Sequence, residues 1–236
     1  TGVGTLNRAL TLNGGSLFFA GSGNDLTLAG TLEFAANSTL DATNNNSGFP
    51  TITASTSGTG GFTKTGIGGI RLNGTSNTYS GPTIVNAGGV TVKSSLYGNV
   101  TTNWTPANIT VASGATFMMN VGGSGEFTIG QAATMISNLS SNVNNNGLQA
   151  GSFVGVDTRN ATPGTYVYSA NITDSTGAGG GSISFKHTGA GGVISSPSTT
   201  TILELTGNNT YSGTTIVDNG GCLLYTSDAA DEEDSV

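Results

Sequence analysis

Short alternating segments, two to four residues long and separated by glycine or asparagine, dominate the chain. Leu10-Thr-Leu12, Ser16-Leu-Phe-Phe19, Leu26-Thr-Leu28, Thr31-Leu-Glu-Phe34 and Ser38-Thr-Leu40 recur at intervals near seven to ten residues. Alternation with period two predicts strands with one apolar side, here too short for anything but thin rungs. Asn44–Gly48, Ser55–Gly61, Gly177–Gly181 and Gly189–Gly192 are glycine-, serine- or asparagine-rich and read as loops. One segment departs from this pattern. In Gln131–Ser141, Ala132, Met135, Ile136 and Leu139 fall at helical spacing and predict a short helix, expected as an excursion beside the stacked strands.

Self-comparison sharpens the pattern into a repeat. Asn77-Thr-Tyr-Ser-Gly-Pro-Thr-Ile-Val-Asn-Ala-Gly-Gly89 matches Asn209-Thr-Tyr-Ser-Gly-Thr-Thr-Ile-Val-Asp-Asn-Gly-Gly221 at ten of thirteen positions. Each copy follows a short strand, Gly69-Ile-Arg-Leu-Asn-Gly74 or Ile202-Leu-Glu-Leu-Thr-Gly207. The unit reads as a strand around Leu72, a polar corner at Asn77, an inward Tyr79 and a bend at Gly81. Strand Thr83-Ile-Val85, a Gly88-Gly89 corner and strand Val90-Thr-Val92 complete it. Corners at short intervals return the chain above itself, which predicts a coil of a parallel β-solenoid. About ten such coils, at ~4.8 Å each, would make a rod of roughly 50 Å.

Composition supports stacking over the alternatives. The chain has 39 glycines and 5 prolines, and 8% of its residues are charged. Disorder requires low hydrophobicity with high charge, and collagen requires glycine at every third position; neither pattern is present. Uncharged amides and hydroxyls ladder well when equivalent positions lie above one another. The net charge of −7 is misleading, because Asp228, Asp231, Glu232, Glu233 and Asp234 supply five of the thirteen acids. Residues 1–221 carry six basic and eight acidic side chains. Such a body offers neither a basic patch for nucleic acid nor a polybasic membrane anchor, and no stretch approaches the ~20 apolar residues of a membrane helix. The one cysteine, Cys222, also lies near the end, so disulfides and thiolate metal sites are excluded from the first 221 residues.

The segment Cys222-Leu-Leu-Tyr-Thr-Ser-Asp-Ala-Ala-Asp-Glu232 differs in composition from everything before it. It resembles translated DNA adapter of the kind joined to fragments in sequencing libraries; the alternative is an ordinary acidic tail. The expected organisation is a single solenoid over residues 1–221 followed by a non-native tail over 222–236.

Residues 60–92, Gly-Gly-Phe-Thr-Lys-Thr-Gly-Ile-Gly-Gly-Ile-Arg-Leu-Asn-Gly through Asn77-Thr-Tyr-Ser-Gly81 to Val92, resemble the autotransporter-associated β-strand repeat, also called the passenger-associated transport repeat. The copy departs from the usual pattern in the extra residue before Asn77, in Pro82, and in Val90 where leucine is usual. A second, shorter copy covers about residues 199–221. The resemblance implies an all-β, right-handed parallel β-helix with loop excursions. It also implies a passenger segment of a bacterial surface or secreted protein, extracellular or cell-surface and associated with the outer membrane. The implied partner is an outer-membrane barrel or other secretion machinery outside this chain.

Candidate chemistry is sparse, and no catalytic, cofactor-binding or metal-binding residue is assigned. His187 is the only histidine and is expected on a strand surface, with Asp174, the nearest candidate acid in sequence, across a glycine-rich loop. Asp25, Glu33, Asp41, Glu126, Asp157 and Asp174 have no spacing that forces two of them together, as glycosidase or lyase chemistry would need. Gly21–Leu28 resembles a single calcium-binding nonapeptide, but lacks the stacked second copy that completes such a site. Tyr79 and Tyr211 hold equivalent repeat positions and are expected as core stacks rather than sugar platforms. Trp104 is expected as a loop anchor. The expected role is therefore structural: a non-enzymatic stalk supporting secretion and display. An adhesin for glycans, another cell-surface ligand or like chains is the alternative, favoured if 41–61 or 130–150 project as loops. A carbohydrate-active enzyme ranks last.

Overall fold

The computed structural model describes residues 4–19, 26–43, 49–189 and 201–225. The chain winds as successive coils. The first three coils each lay down three strands. They are β1 (Thr5–Leu6), β2 (Leu10–Asn13) and β3 (Ser16–Phe19); β4 (Thr27–Leu28), β5 (Thr31–Ala36) and β6 (Ser38–Ala42); and β7 (Thr51–Ile52), β8 (Ser55–Ser57) and β9 (Phe62–Thr65). The next two contribute β10 (Gly69–Leu72) with β11 (Thr83–Val85), and β12 (Gly89–Val92) with β13 (Ile109–Val111). The sixth holds β14 (Thr116–Asn120), the helix α1 (Ile129–Leu139), β15 (Ser141–Asn142) and β16 (Gly147–Leu148). Then come β17 (Phe153–Asp157), β18 (Gly164–Tyr168) and β19 (Thr176–Gly177); β20 (Ser184–Thr188) and β21 (Thr201–Leu205); and β22 (Thr215–Asp218) with β23 (Cys222–Tyr225).

The first strand of every coil joins one nine-stranded sheet in the order β1-β4-β7-β10-β12-β14-β17-β20-β22. A second sheet stacks β3, β6, β9, β11, β13 and β16, and shorter sheets stack β2-β5-β8 and β18-β21-β23. All of these pairings are parallel. At ~4.8 Å per rung, nine rungs span about 40 Å. The architecture is the parallel β-solenoid expected from the repeat.

Strand parity sorts the side chains into columns. In the long sheet, Leu6, Leu28, Ile52, Leu72, Val92, Met119, Val156, His187 and Val217 stand one above another in register. In the second sheet the column is Leu17, Leu40, Lys64, Val85, Val111 and Leu148. Apart from Leu6 and Val217 at the two ends, which are exposed, both columns face one continuous core. Along the first coils that core holds Phe34, Phe62, Tyr79 and Tyr97, with neighbouring ring centroids 5.1–5.7 Å apart. Tyr79 is 1% exposed, a core residue as expected. Tyr211 is half-buried against Phe185.

The repeat signature combines close approaches between coils with hydrogen bonds that fix the corner within a coil. A Cβ on Gly81 would lie 2.3 Å from the carbonyl carbon of Gly60, and one on Gly213 would lie 2.0 Å from the Ile183 carbonyl oxygen. Gly74 and Gly207 press likewise on the Ala54 and Ala170 carbonyls, at 2.2 and 2.3 Å. The asparagine beside them ties the corner. Asn77 donates to the Gly74 carbonyl and accepts from the Thr56 hydroxyl of the preceding coil at 2.8 Å. Asn209 donates to the Gly207 carbonyl and accepts the Ile172 amide, also of the preceding coil. The tyrosine hydroxyl meets the threonine four residues on, at 2.6 Å for Tyr79 with Thr83 and 2.5 Å for Tyr211 with Thr215.

Several expectations need correction. Ser55–Ser57 is a strand rather than part of a loop, paired with Thr31–Glu33. Its inward residue is a threonine, which composition reads as loop, but Thr56 satisfies its hydroxyl on Asn77 inside the core. The helix runs from Ile129 to Leu139 rather than 131–141, because Thr128 and Gln131 form a capping box and start it earlier. Nor does it lie beside the solenoid. It follows β14 where other coils carry a second-face strand, packs against β18, and buries the predicted Ala132, Met135, Ile136 and Leu139. Segment 130–150 is thus built into the wall, and so is the end of 41–61. Gly177 belongs to β19, and residues 190–192 of the last predicted loop lie outside the described residues.

The corner contact is testable by adding one methyl group. Gly81→Ala must push two backbones apart and is expected to cost about 3 kcal/mol or more. Gly130→Ala, at a helical site with nothing within 4 Å of the new Cβ, should change stability by less than about 1 kcal/mol, in the stabilising direction. Urea denaturation of both variants checks this; equal effects would remove the steric account of the repeat glycine.

Candidate functional site on the long sheet

The acids weighed from sequence are dispersed over the solenoid. Glu33 accepts the Thr11 hydroxyl on the β2-β5 face, and Asp41 accepts the Thr65 hydroxyl at 2.6 Å. Asp174 accepts the Ile183 and Ser212 amides and the Ser212 hydroxyl, pinning a corner. Asp25, with most of the nonapeptide-like Gly21–Leu28, lies outside the described residues. Among the described residues no group of three or more His, Cys, Asp or Glu is placed to hold a metal ion. Trp104 is fully buried, donates its indole N–H to the Leu96 carbonyl and packs on Phe127, so it anchors its loop as expected.

Charged residues do converge on the outward face of the long sheet. Arg159 forms a bidentate pair with Asp157, its Nε donating at 2.9 and 3.0 Å and its Nη2 closing the fork. Lys186 pairs with Asp218 at 2.8 Å, and Thr188 donates to the same carboxylate. Burial works to raise Asp218, but the Lys186 and Thr188 hydrogen bonds hold it below the ordinary carboxylate value. The Arg71 guanidinium lies 4.9 Å from the centroid of the Phe49 ring. Two cavities open here. One, of about 290 Å³, includes Phe49, Met118, Asp157, Lys186 and Asp218 in its lining. The other, of about 210 Å³, is lined by Thr51, Arg71, Asn73, Asn120, Arg159 and Asn160. Arg159 borders both. None of these cations or amides stood out in the sequence, where Arg71 and Arg159 are remote and only the fold's register joins them.

Two ionisable side chains occupy apolar columns. Lys64 is fully buried, and its ammonium donates to the carbonyls of Thr65, Gly66 and Ala87 at 2.5, 2.8 and 3.2 Å. It thereby ties the end of β9 to the next coil. Burial pulls this amine down to about 8, with the Asp41 charge offsetting part of the effect. His187, expected at the surface, is also fully buried, because alternation from Phe185 through Lys186 turns it inward above Val156. Its Nε2 lies 3.0 Å from the Thr158 hydroxyl. Burial pulls the imidazole down to about 4, against the opposing charges of Asp157 and Asp218.

A stacked parallel solenoid whose repeated residues are used in coil-to-coil contacts defines the class. The particular repeat is the passenger-associated-transport-repeat, whose family model matches residues 62–92 and 200–223. That repeat is one of autotransporter passenger domains and is not a known enzyme family, and it associates this chain with such passengers. No curated protein and no solved structure matches the chain. The second match and strand β23 extend into the segment expected to be non-native; residues 226–236 lie outside the described residues.

His187 gives the fold a pH signature. An unfolded chain takes up the imidazole proton near 6.5, whereas the folded chain resists until about 4. The His187 contribution to stability is therefore complete above pH 6.5, falls as pH drops through that interval and levels off below it. The slope should approach ~1.4 kcal/mol per pH unit. Urea midpoints at pH 7, 6 and 5, above the range where the lowered Asp174 and Asp218 carboxylates titrate, should fall in the native chain and stay nearly level in His187→Leu; parallel declines would locate the effect elsewhere.

Proposed function

We propose that the chain is a structural, non-enzymatic segment of a bacterial autotransporter-like passenger, displayed at the cell surface or secreted. It would form a right-handed solenoid, the hand favoured by parallel strand–crossover–strand connections. Its partner is an outer-membrane translocator outside this chain. The observation that carries this reading is the unbroken nine-stranded parallel sheet, combined with a repeat whose glycines and asparagine tie each copy to the preceding coil.

The mechanism follows from stacking. Each coil that emerges outside the membrane adds its apolar residues to existing columns and pairs its backbone with the coil before it. Burial at ~25 cal/mol per Å² makes each addition favourable without a nucleotide. Coils added in order draw the rest of the chain outward and lengthen a rod in steps of ~4.8 Å.

The test is surface display of residues 1–236 fused ahead of an autotransporter barrel, read by antibody labelling of intact cells. Deleting residues 60–92, or combining Gly81→Val with Gly213→Val, should lower display several-fold while total synthesis is unchanged. Display that is indifferent to both changes would overturn the proposal.

A further inference from the structure

We infer that Asn219 is a site of spontaneous covalent modification: the folded chain leaves its Asn–Gly pair open to intramolecular deamidation and shields the others. The chain has four such pairs, Asn13-Gly14, Asn73-Gly74, Asn146-Gly147 and Asn219-Gly220. Glycine is the most favourable residue to follow the asparagine, because no side chain hinders the approach of its nitrogen. Sequence therefore makes all four candidates, and the fold decides among them.

The reaction is a cyclisation followed by hydrolysis. The glycine backbone nitrogen attacks the asparagine Cγ and a C–N bond forms. The proton of that nitrogen passes to solvent, and the side-chain nitrogen takes up a proton and leaves as ammonia. Water then opens the five-membered imide at either carbonyl. One opening gives aspartate; the other gives isoaspartate, in which the main chain runs through Cγ. Water is the only co-reactant. The attack requires an uncommitted glycine N–H, a side-chain amide free to swing over it, and a backbone able to rotate between them.

Each of the first three pairs fails at least one requirement. Gly14 donates its N–H to the Ser38 hydroxyl of the next coil at 3.2 Å. The Asn73 carbonyl oxygen accepts the Asn120 amide at 3.2 Å. Rotation there is also blocked, because Gly74 is pressed on the preceding coil, where an added Cβ would lie 2.2 Å from the Ala54 carbonyl oxygen. Asn146 accepts the Thr110 hydroxyl through its side chain and exchanges both backbone hydrogen bonds with Val143, and Gly147 is buried.

Asn219 meets all three requirements. It is exposed at the corner between β22 and β23, with φ of 49°, and Gly220 follows at 75°. The Gly221 amide closes this turn on the Asp218 carbonyl at 3.0 Å, and the Gly220 N–H within it has no hydrogen-bond partner among the described residues. The side chain is held by one hydrogen bond, from Nδ2 to the Asp218 carboxylate at 3.3 Å. The other copy of the repeat has Ala87 at the equivalent position, so its corner carries no reactive amide. Asn219 lines the larger cavity beside Asp218, and either product sets a second carboxylate against the first.

The test incubates the whole chain, folded and in urea, at pH 8 and follows each pair by peptide mapping and mass spectrometry. Fragmentation that separates isoaspartate from aspartate identifies the products. In the folded chain Asn219 should convert several-fold faster than Asn13, Asn73 or Asn146 and yield isoaspartate as well as aspartate. In urea the four rates should converge, since only local opening of the fold separates them, and Asn219 should be accelerated least. An unmodified Asn219 in the folded chain, conversion of all four pairs at similar rates there, or an acceleration of Asn219 on unfolding equal to that of the other three would each overturn the proposal.

Discussion

Successive coils must meet at their corners as closely as at their strands, and that distance governs the rest of the molecule. Parallel strands pair only when neighbouring backbones lie about 4.8 Å apart. Where the chain turns, the same approach leaves no volume for a side chain. Gly81 against Gly60 and Gly213 against Ile183 are two of the points where this constraint admits no side chain. The asparagine two or three residues after the preceding glycine then supplies the hydrogen bonds that a turning backbone cannot make for itself. Once the corners close, register follows, and with register comes the sorting of each strand into core and solvent columns.

This explains why the repeat was legible. Its glycine, asparagine, tyrosine and threonine each perform a contact that their neighbours' chemistry cannot replace, so the same letters recur wherever the same contact does. The inward Tyr79 and the apolar face of α1 could be read for the same reason. Positions set by parity alone were less legible. Thr56, Lys64 and His187 stand in apolar columns although their composition suggests loop or surface. Each is tolerated because the column brings a partner: Asn77 for Thr56, three backbone carbonyls for Lys64 and Thr158 for His187. Asn77, Ala87 and Thr158 arrive from another coil or a later turn, where no local pattern announces them; only Thr65 and Gly66 are sequence neighbours of the residue they serve. The helix boundary was missed for the opposite reason: the capping box is local, but the apolar spacing that flagged the helix begins inside it.

The candidate site shows the limit most clearly. Arg71 and Arg159 are separated by just over three coils, and the Asn73–Asn120 contact spans 47 positions. A linear reading weighs residues by their sequence neighbours, whereas a solenoid assembles a surface from one residue per coil. The acids that sequence analysis did weigh were those with recognisable chemistry, and the fold uses Glu33, Asp41 and Asp174 as hydrogen-bond acceptors at separate places.

Sheet position also decides where a multi-coil site can be held in shape. The coil grows from Gly69–Gly89 pairing to Thr116–Phe153 pairing, a change from twenty to thirty-seven residues. The added chain, including α1, enters after β14 and returns before β17, so the long sheet passes from β10 to β17 without a break. The other faces absorb the insertion: β2-β5-β8 gives way to a helix, and a separate three-stranded sheet follows. Only the long sheet therefore keeps its register across all nine coils. Side chains drawn from several coils hold fixed separations there because hydrogen-bonded strands, rather than loops, carry them. The charged cluster of the long sheet draws on strand positions such as Arg71, Asp157, Lys186 and Asp218 and on residues just beyond strand ends such as Asn73 and Arg159, so its geometry depends on the register of the sheet and on the corners together.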